Sequence, residues 1–203
     1  MELLVLGAGG HGRVVKEVAE ATGKYTRIDF VDDHSDIAVG RILDLEWLHE
    51  DYDSAFVGIG NNRLRNKLIV KLESIGYEVP VLIHPTAYVS QSCHIEKGTI
   101  IEPMAVVNAN AKVGMGCIIS VGAVLDHDVV VGDCVHINAG AIVKAGGKVE
   151  SGIKVDAGEV WPECHEMISK SVVERVVKPA DSNSDFAKEY RKATGKDVSF
   201  FEY

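Results

Sequence analysis

From Pro85 to Asp156 the chain divides, without interruption, into the six-residue blocks PTAYVS QSCHIE KGTIIE PMAVVN ANAKVG MGCIIS VGAVLD HDVVVG DCVHIN AGAIVK AGGKVE SGIKVD. The fifth place of these twelve blocks reads Val89, Ile95, Ile101, Val107, Val113, Ile119, Leu125, Val131, Ile137, Val143, Val149 and Val155, an aliphatic residue every time. The third place is mostly small, with Val129, Val135 and Ile153 as the bulkier members. A period of six is neither the 3.6 of a helix nor the simple alternation of a flat sheet. It suits a parallel β-helix, in which each coil hydrogen-bonds its neighbours and stacks like residues into ladders. Third and fifth places then face inward, and fourth-place residues such as Lys112, His136 and Lys148 point outward.

The residues before this array follow other periods. ELLVL is a short apolar strand, and GAGGHGRVV opens a turn that leads into a helix with Val14, Val15, Val18 and Ala19 on one face. RIDFVDD, SAFVGIG and YEVPVLI read as further strands, and RLRNKLIVKLESIG reads as a helix with Asn61 or Asn62 as its cap and Gly76 at its end. Strands alternating with helices imply a small, Rossmann-like α/β domain over residues 1–82, about half of a full dinucleotide-binding domain. Gly7, Gly9, Gly10 and Gly12 allow a tight turn and a close backbone approach, and the helix that follows offers free N–H groups to a pyrophosphate. The same glycines could simply turn the chain. His11 either touches phosphate or shapes the loop. Asp32 or Asp33 suits a ribose hydroxyl or a base N–H, and Gly60 and Asn61 of IGNN lie where they either meet a nucleotide or cap the helix.

After residue 160 the period is lost. Residues 161–203 read as an irregular tail that caps the array or joins in assembly, with a helix in SDFAKEYRKATG and an apolar end in DVSFFEY. The α/β domain is expected to cap the other end. A formal net charge of -9 argues against nucleic acid and anionic membranes as partners. No apolar run reaches the ~18–20 residues of a membrane span, and MELLVLGAGG has no basic leader region, so the expected setting is the cytoplasm. The four cysteines form no CxxC pair and read as reduced core residues. No metal set is expected among His84, His94, His127 and His136.

Taken together, GAGGHGRVV, the DD closing the second strand, IGNNRLRNKL, LIHPTAYVS and DHDVVVGDCVHINAGA resemble the sialic acid and bacillosamine O/N-acetyltransferase family, over roughly residues 2–145. The resemblance implies a left-handed β-helix of triangular section with three hexads per coil, here over residues 83–160. It implies homotrimers with sites between subunits, acetyl-CoA as co-substrate with no permanently bound cofactor, and a UDP-linked amino sugar as acceptor. The first domain would then hold the nucleotide of that sugar rather than NAD, whose nicotinamide has no second half-domain to sit in. The family's His-acid pair falls on His127 and Asp128, with His127 as general base. The acid here is one methylene shorter than the expected glutamate, and Asp126 is a possible substitute. His136, Asn138, Gly140 and Ser120 are placed near the acyl group or coenzyme A. Relatives carry further coils against which coenzyme A lies, so a nucleotide-sugar-binding subunit or scaffold without transfer activity is the second reading.

Overall fold

The computed structural model describes residues 1–162, which form one compact unit. The expectations placed on residues 163–203, a helix over 184–195 and a capping or oligomerising role, lie outside the described residues.

The chain opens with β1 (Glu2–Leu6), α1 (Gly10–Ala21), β2 (Arg27–Val31), β3 (Ala38–Gly40), a 3-10 turn at Ile42–Asp44, α2 (Leu45–Leu48), β4 (Ser54–Val57) and α3 (Asn62–Ile75). The four strands pair in parallel in the order β3-β2-β1-β4. β1 lies centrally, and its residues Leu3 to Leu6 are inaccessible to solvent. Helix α1 turns Val15, Val18 and Ala19 inward, and α3 does the same with Leu68, Ile69 and Leu72. Asn61 caps α3 by accepting the Leu64 N–H at 2.9 Å, and Gly76 ends it with φ 111°.

The expected fourth strand, YEVPVLI, does not join this sheet. Pro80 lacks an N–H for the ladder, and only an isolated bridge between Ser54 and Glu78 remains. Leu82 and Ile83 pair instead with Ile100 and Ile101. The edge that YEVPVLI would have extended is left to β4, and the opposite edge is supplied by Ala38–Gly40, which carries no strong strand signal.

From Leu82 the chain winds through fourteen two-residue strands at six-residue steps, ending with Val160–Trp161. The repeating array is therefore longer than the twelve hexads read from sequence, by one strand at each end. Partners stand 18 residues apart, as in His94, Lys112, Val130 and Lys148, so three hexads make each coil of a left-handed parallel β-helix. Each strand holds the fourth and fifth places. Ten of the twelve fifth-place aliphatics are buried in one continuous core, and Val89 and Ile95 pack partly against it. Ten of the twelve second-place residues adopt left-handed backbone at the corners, six of them glycine, with Asn110 and Asp128 among the others at φ 59° and 60°.

Three faces result, each named here by its outward residues. Leu82, Ile100, Ile118, His136 and Lys154 form the first, Tyr88, Val106, Val124, Ile142 and Val160 the second, and His94, Lys112, Val130 and Lys148 the third. The α/β module does not sit on an end of the prism as expected. It packs on the first face, where Leu82, Ile100 and Ile118 join Leu3, Val5, Val15, Val18 and Phe56 in a shared apolar cluster. Fourth-place residues are outward with respect to the prism, and these three are buried because another layer covers them.

Candidate active site

The glycine loop is built by close contact. A Cβ at Gly12 would come within 1.8 Å of the Gly7 carbonyl oxygen, and Gly7 itself has φ 101°, so both positions demand glycine on steric grounds alone. Gly9 and Gly10 differ, since a side chain there would meet nothing within 4 Å. They open the N-terminus of α1, which carries no side-chain cap, and leave its first N–H groups available to an anion. Asp32 braces this loop: one oxygen accepts the Ala8 N–H and the other the His34 N–H, both at 2.9 Å. These two bonds hold its carboxyl below the usual range. Asp33 accepts the Ile42 N–H at 3.0 Å.

His11 reaches from this loop to the β-helix. Its Nδ1 stands 3.7 Å from an oxygen of Glu102, and Glu102 accepts the Val121 N–H at 2.9 Å through its other oxygen. Glu102 is 7% exposed, and burial pushes its carboxyl up. Next to it on the same corner ladder lies Ser120, whose hydroxyl is 3.1 Å from His136 Nε2. Both histidines have pKa values lowered from 6.5 to about 4, by burial first and by the nearby Arg65 guanidinium second. They are neutral at pH 7. His11 Nε2 is buried without a hydrogen-bond partner. Asn138 continues the ladder below Ser120, and Gly140 turns that same corner with φ 66°.

His127 and Asp128 stand at a different corner, between the second and third faces. His127 Nδ1 and Asp128 Oδ2 are 2.7 Å apart. The shorter acid reaches the imidazole after all, because its backbone takes the left-handed corner conformation and Asn110, one coil above, holds its second oxygen at 3.1 Å. Asp126 does not substitute for it: its carboxylate accepts the His127 backbone N–H at 2.7 Å. Both members of the pair are over half exposed, and the Asp128 bond raises the His127 pKa while lowering that of Asp128. With Nδ1 donating to the carboxylate, Nε2 is left as a proton acceptor. Beside the pair, Ser92, His94, Asn110, Lys112, Asp128 and Val130 line an open cleft of about 410 Å³.

The sequence-predicted residues thus fall into two groups. His11, Ser120, His136 and Asn138 gather under the glycine loop, while His127 and Asp128 lie beyond the second face. Gly60 and Asn61 serve the α3 cap and the loop before it. Two residues of the first group went unread, Glu102 and Arg65, and Asn62 is expected from sequence only as a possible helix cap. Glu102 is marked only as a carboxylate within a corner ladder, and Asn62 and Arg65 only by their i, i+3 spacing at a helix start. Among the described residues no set of three or more His, Cys, Asp or Glu is placed to hold a metal ion, and no helix is long and apolar enough to cross a membrane.

Residues 2–72 match the family model for the PglD N-terminal domain. The chain is similar to UDP-N-acetylbacillosamine N-acetyltransferase of Bacillus subtilis, 32% identical over 106 residues, covering 47% of this chain and 49% of that protein. The match therefore spans about half the length of this curated relative. The acetyltransferase domain of PglB from Neisseria gonorrhoeae, solved with acetyl coenzyme A, superposes with a TM-score of 0.71 at 34% identity, covering 77% of this chain and 88% of that one. A histidine-to-alanine variant of GDP-perosamine N-acetyl transferase from Caulobacter crescentus, solved with CoA and GDP-perosamine, gives 0.71 at 31% identity, covering 79% and 88%. With that likeness running through the α/β module and the hexad array alike, the chain belongs to the hexapeptide-repeat sugar acetyltransferases of the sialic acid and bacillosamine type.

Proposed function

We propose that the protein transfers the acetyl group of acetyl-CoA to the amine, or a hydroxyl, of a nucleotide-linked sugar, with a UDP-linked amino sugar as acceptor and His127 as general base. The observation that carries the reading is the His127–Asp128 bond of 2.7 Å, which orients the imidazole and leaves Nε2 to take a proton. As the acceptor nitrogen attacks the thioester carbonyl, its proton passes to Nε2. The C–S bond then breaks, the amide remains on the sugar, and the thiolate leaves as the CoA thiol once protonated. The names of the relatives support the acceptor and donor classes.

The nucleotide side is formed by the glycine loop. The open N-terminus of α1 takes the pyrophosphate, and Asp32 and Asp33 offer their remaining lone pairs to ribose or base. Ser120, His136, Asn138 and Gly140 line the path toward the acyl group. In one chain this assembly and His127 are separated by the whole second face of the prism. That face is apolar at every level, and Tyr88 is 58%, Ile142 39% and Val160 40% exposed. An exposed ladder of this kind suits burial against another copy. A homotrimer packed on it would bring His127 of one subunit toward the nucleotide site of the next, with the 410 Å³ cleft beside Asp128 receiving the thioester arm. Cys93, Cys117 and Cys134 are free thiols, in keeping with a reducing, cytoplasmic setting.

A mass-spectrometric screen of UDP- and GDP-linked amino sugars with acetyl-CoA tests the reading. Addition of one acetyl group to a nucleotide sugar is the expected result. Binding of a nucleotide sugar with no acetyl product would instead leave the protein a nucleotide-sugar-binding subunit.

A further inference from the structure

We infer that Arg65, assisted by Asn62, is a positioning residue of this site: it fastens the Ile59–Asn62 loop to successive coils of the prism and so fixes the glycine-loop module, His11 included, against His136. The inference rests on the reading of that module as the nucleotide side.

Arg65 is 1% exposed, and each of its five N–H donors is used. Nε donates to the Gly116 carbonyl at 2.6 Å, Nη1 to those of Ile59 and Gly60 at 2.9 and 3.2 Å, and Nη2 to Asn62 Oδ1 and the Cys134 carbonyl at 2.7 and 3.2 Å. Asn62 passes the link on, its Nδ2 donating to the carbonyls of Gly152 and Ile153 at 2.9 and 3.2 Å. Gly116, Cys134 and Gly152 are second-place residues of one corner ladder, 18 residues apart. Two side chains from the first turn of α3 therefore span three coils.

No carboxylate neutralises Arg65 in this set. A buried cation satisfied by carbonyls alone is a poor device for stability, since apolar contacts achieve that at lower desolvation cost, and Ile69 and Val79 already pack on the Gly98 corner of the same ladder. What five directional bonds from a planar fork add is a fixed geometry. They also leave the guanidinium with no donor for a substrate, so Arg65 acts through its neighbours. Its charge is felt by both histidines of the site. The other groups facing them are Glu102 and His136 for His11, and Ser120 and Lys154 for His136.

Geometry and charge separate in three variants of the full chain. Arg65→Lys keeps the charge and loses the fork, Arg65→Gln loses both, and Asn62→Ala cuts the link to Gly152 and Ile153. The readouts are the NMR titration midpoints of His11 and His136 and the calorimetric affinity for UDP. Arg65→Gln should raise both midpoints above about 4, with burial still holding them below 6.5, and weaken UDP binding about tenfold, the loss of one charged hydrogen-bond set. Arg65→Lys should leave the midpoints low yet weaken UDP by a similar factor, and Asn62→Ala should weaken it by about threefold. Folded Arg65→Gln protein with unchanged midpoints and UDP affinity overturns the inference. Should that variant not fold, unchanged UDP affinity in both Arg65→Lys and Asn62→Ala overturns it equally. Absence of acetyl transfer by the wild type would remove the proposed activity while leaving the histidine titrations to decide this point.

Discussion

His127 and His136 occupy neighbouring hexads, and their surroundings pull them in opposite directions. His127 stands at an open corner, more than half exposed, with an acid bonded to one nitrogen that raises its pKa. His136 lies under the α/β module with a serine for a partner and a guanidinium nearby, and its pKa falls to about 4. The same side chain on the same scaffold becomes a proton acceptor in one place and a fixed neutral hydrogen-bonding group in the other. The deciding variable is what covers each corner.

The largest effect expected from this contrast is on the rate. His127→Ala should lose about 10²–10⁴ of acetyl transfer with little change in UDP affinity, read from initial rates and calorimetry. Equal turnover would remove the exposed histidine from the chemistry and leave the contrast without a functional meaning.

Asp128→Asn comes next. Removing the carboxylate should lower the rate about tenfold or more and shift the rising limb of the pH–rate profile to lower pH, because the bond that raises the His127 pKa is gone. An unshifted limb would mean that the observed limb belongs to another group.

The buried pair should be visible in stability instead. The unfolded chain binds protons at histidine near 6.5, but folded His11 and His136 resist them until about 4. Their contribution is therefore present above pH 6.5 and lost as the pH falls through that window to about 4. Melting temperature should drop by roughly 5 °C or more across it, and His11→Gln should flatten the fall. A melting curve independent of pH in this range would contradict the burial of both rings.

The smallest effect is expected at Lys148, an exposed residue on the third face. Lys148→Ala should stay within about 0.5 kcal/mol of wild-type stability and leave the pH–rate limb in place. A shift in that limb would show that the His127 pair is tuned by charges beyond Asp126 and Asp128.

Much of this architecture was legible in the sequence, because a six-residue period with an aliphatic at every fifth place leaves little freedom. The His127–Asp128 corner was legible too, although the reach of an aspartate depended on the left-handed backbone at its position. What the period could not convey was the lateral docking of the first module. Leu82, Ile100 and Ile118 are apolar at outward places, and that signal reads only as exposed surface until a covering layer is identified. Arg65 was hidden for a related reason: a lone arginine at the start of a helix looks solvated, and its acceptors are backbone carbonyls, which have no letter in the sequence. Glu102 gained its environment from His11 and Val121, one from another module and one from the next coil.

The 18-residue pitch has a consequence for how such a chain can change over generations. One residue gained or lost between Ser120 and Asp128 would rotate every later side chain to the wrong place and break the Ser120–His136 contact, the Asn110–Asp128 contact and the Arg65 and Asn62 anchors on Cys134 and Gly152. Only the gain or loss of a whole coil, about 4.8 Å of prism, preserves the register. Lineages carrying this scaffold can therefore lengthen or shorten it in steps of a full coil. Between those steps they diverge by replacing the outward residues, which is also where partners and substrates are read.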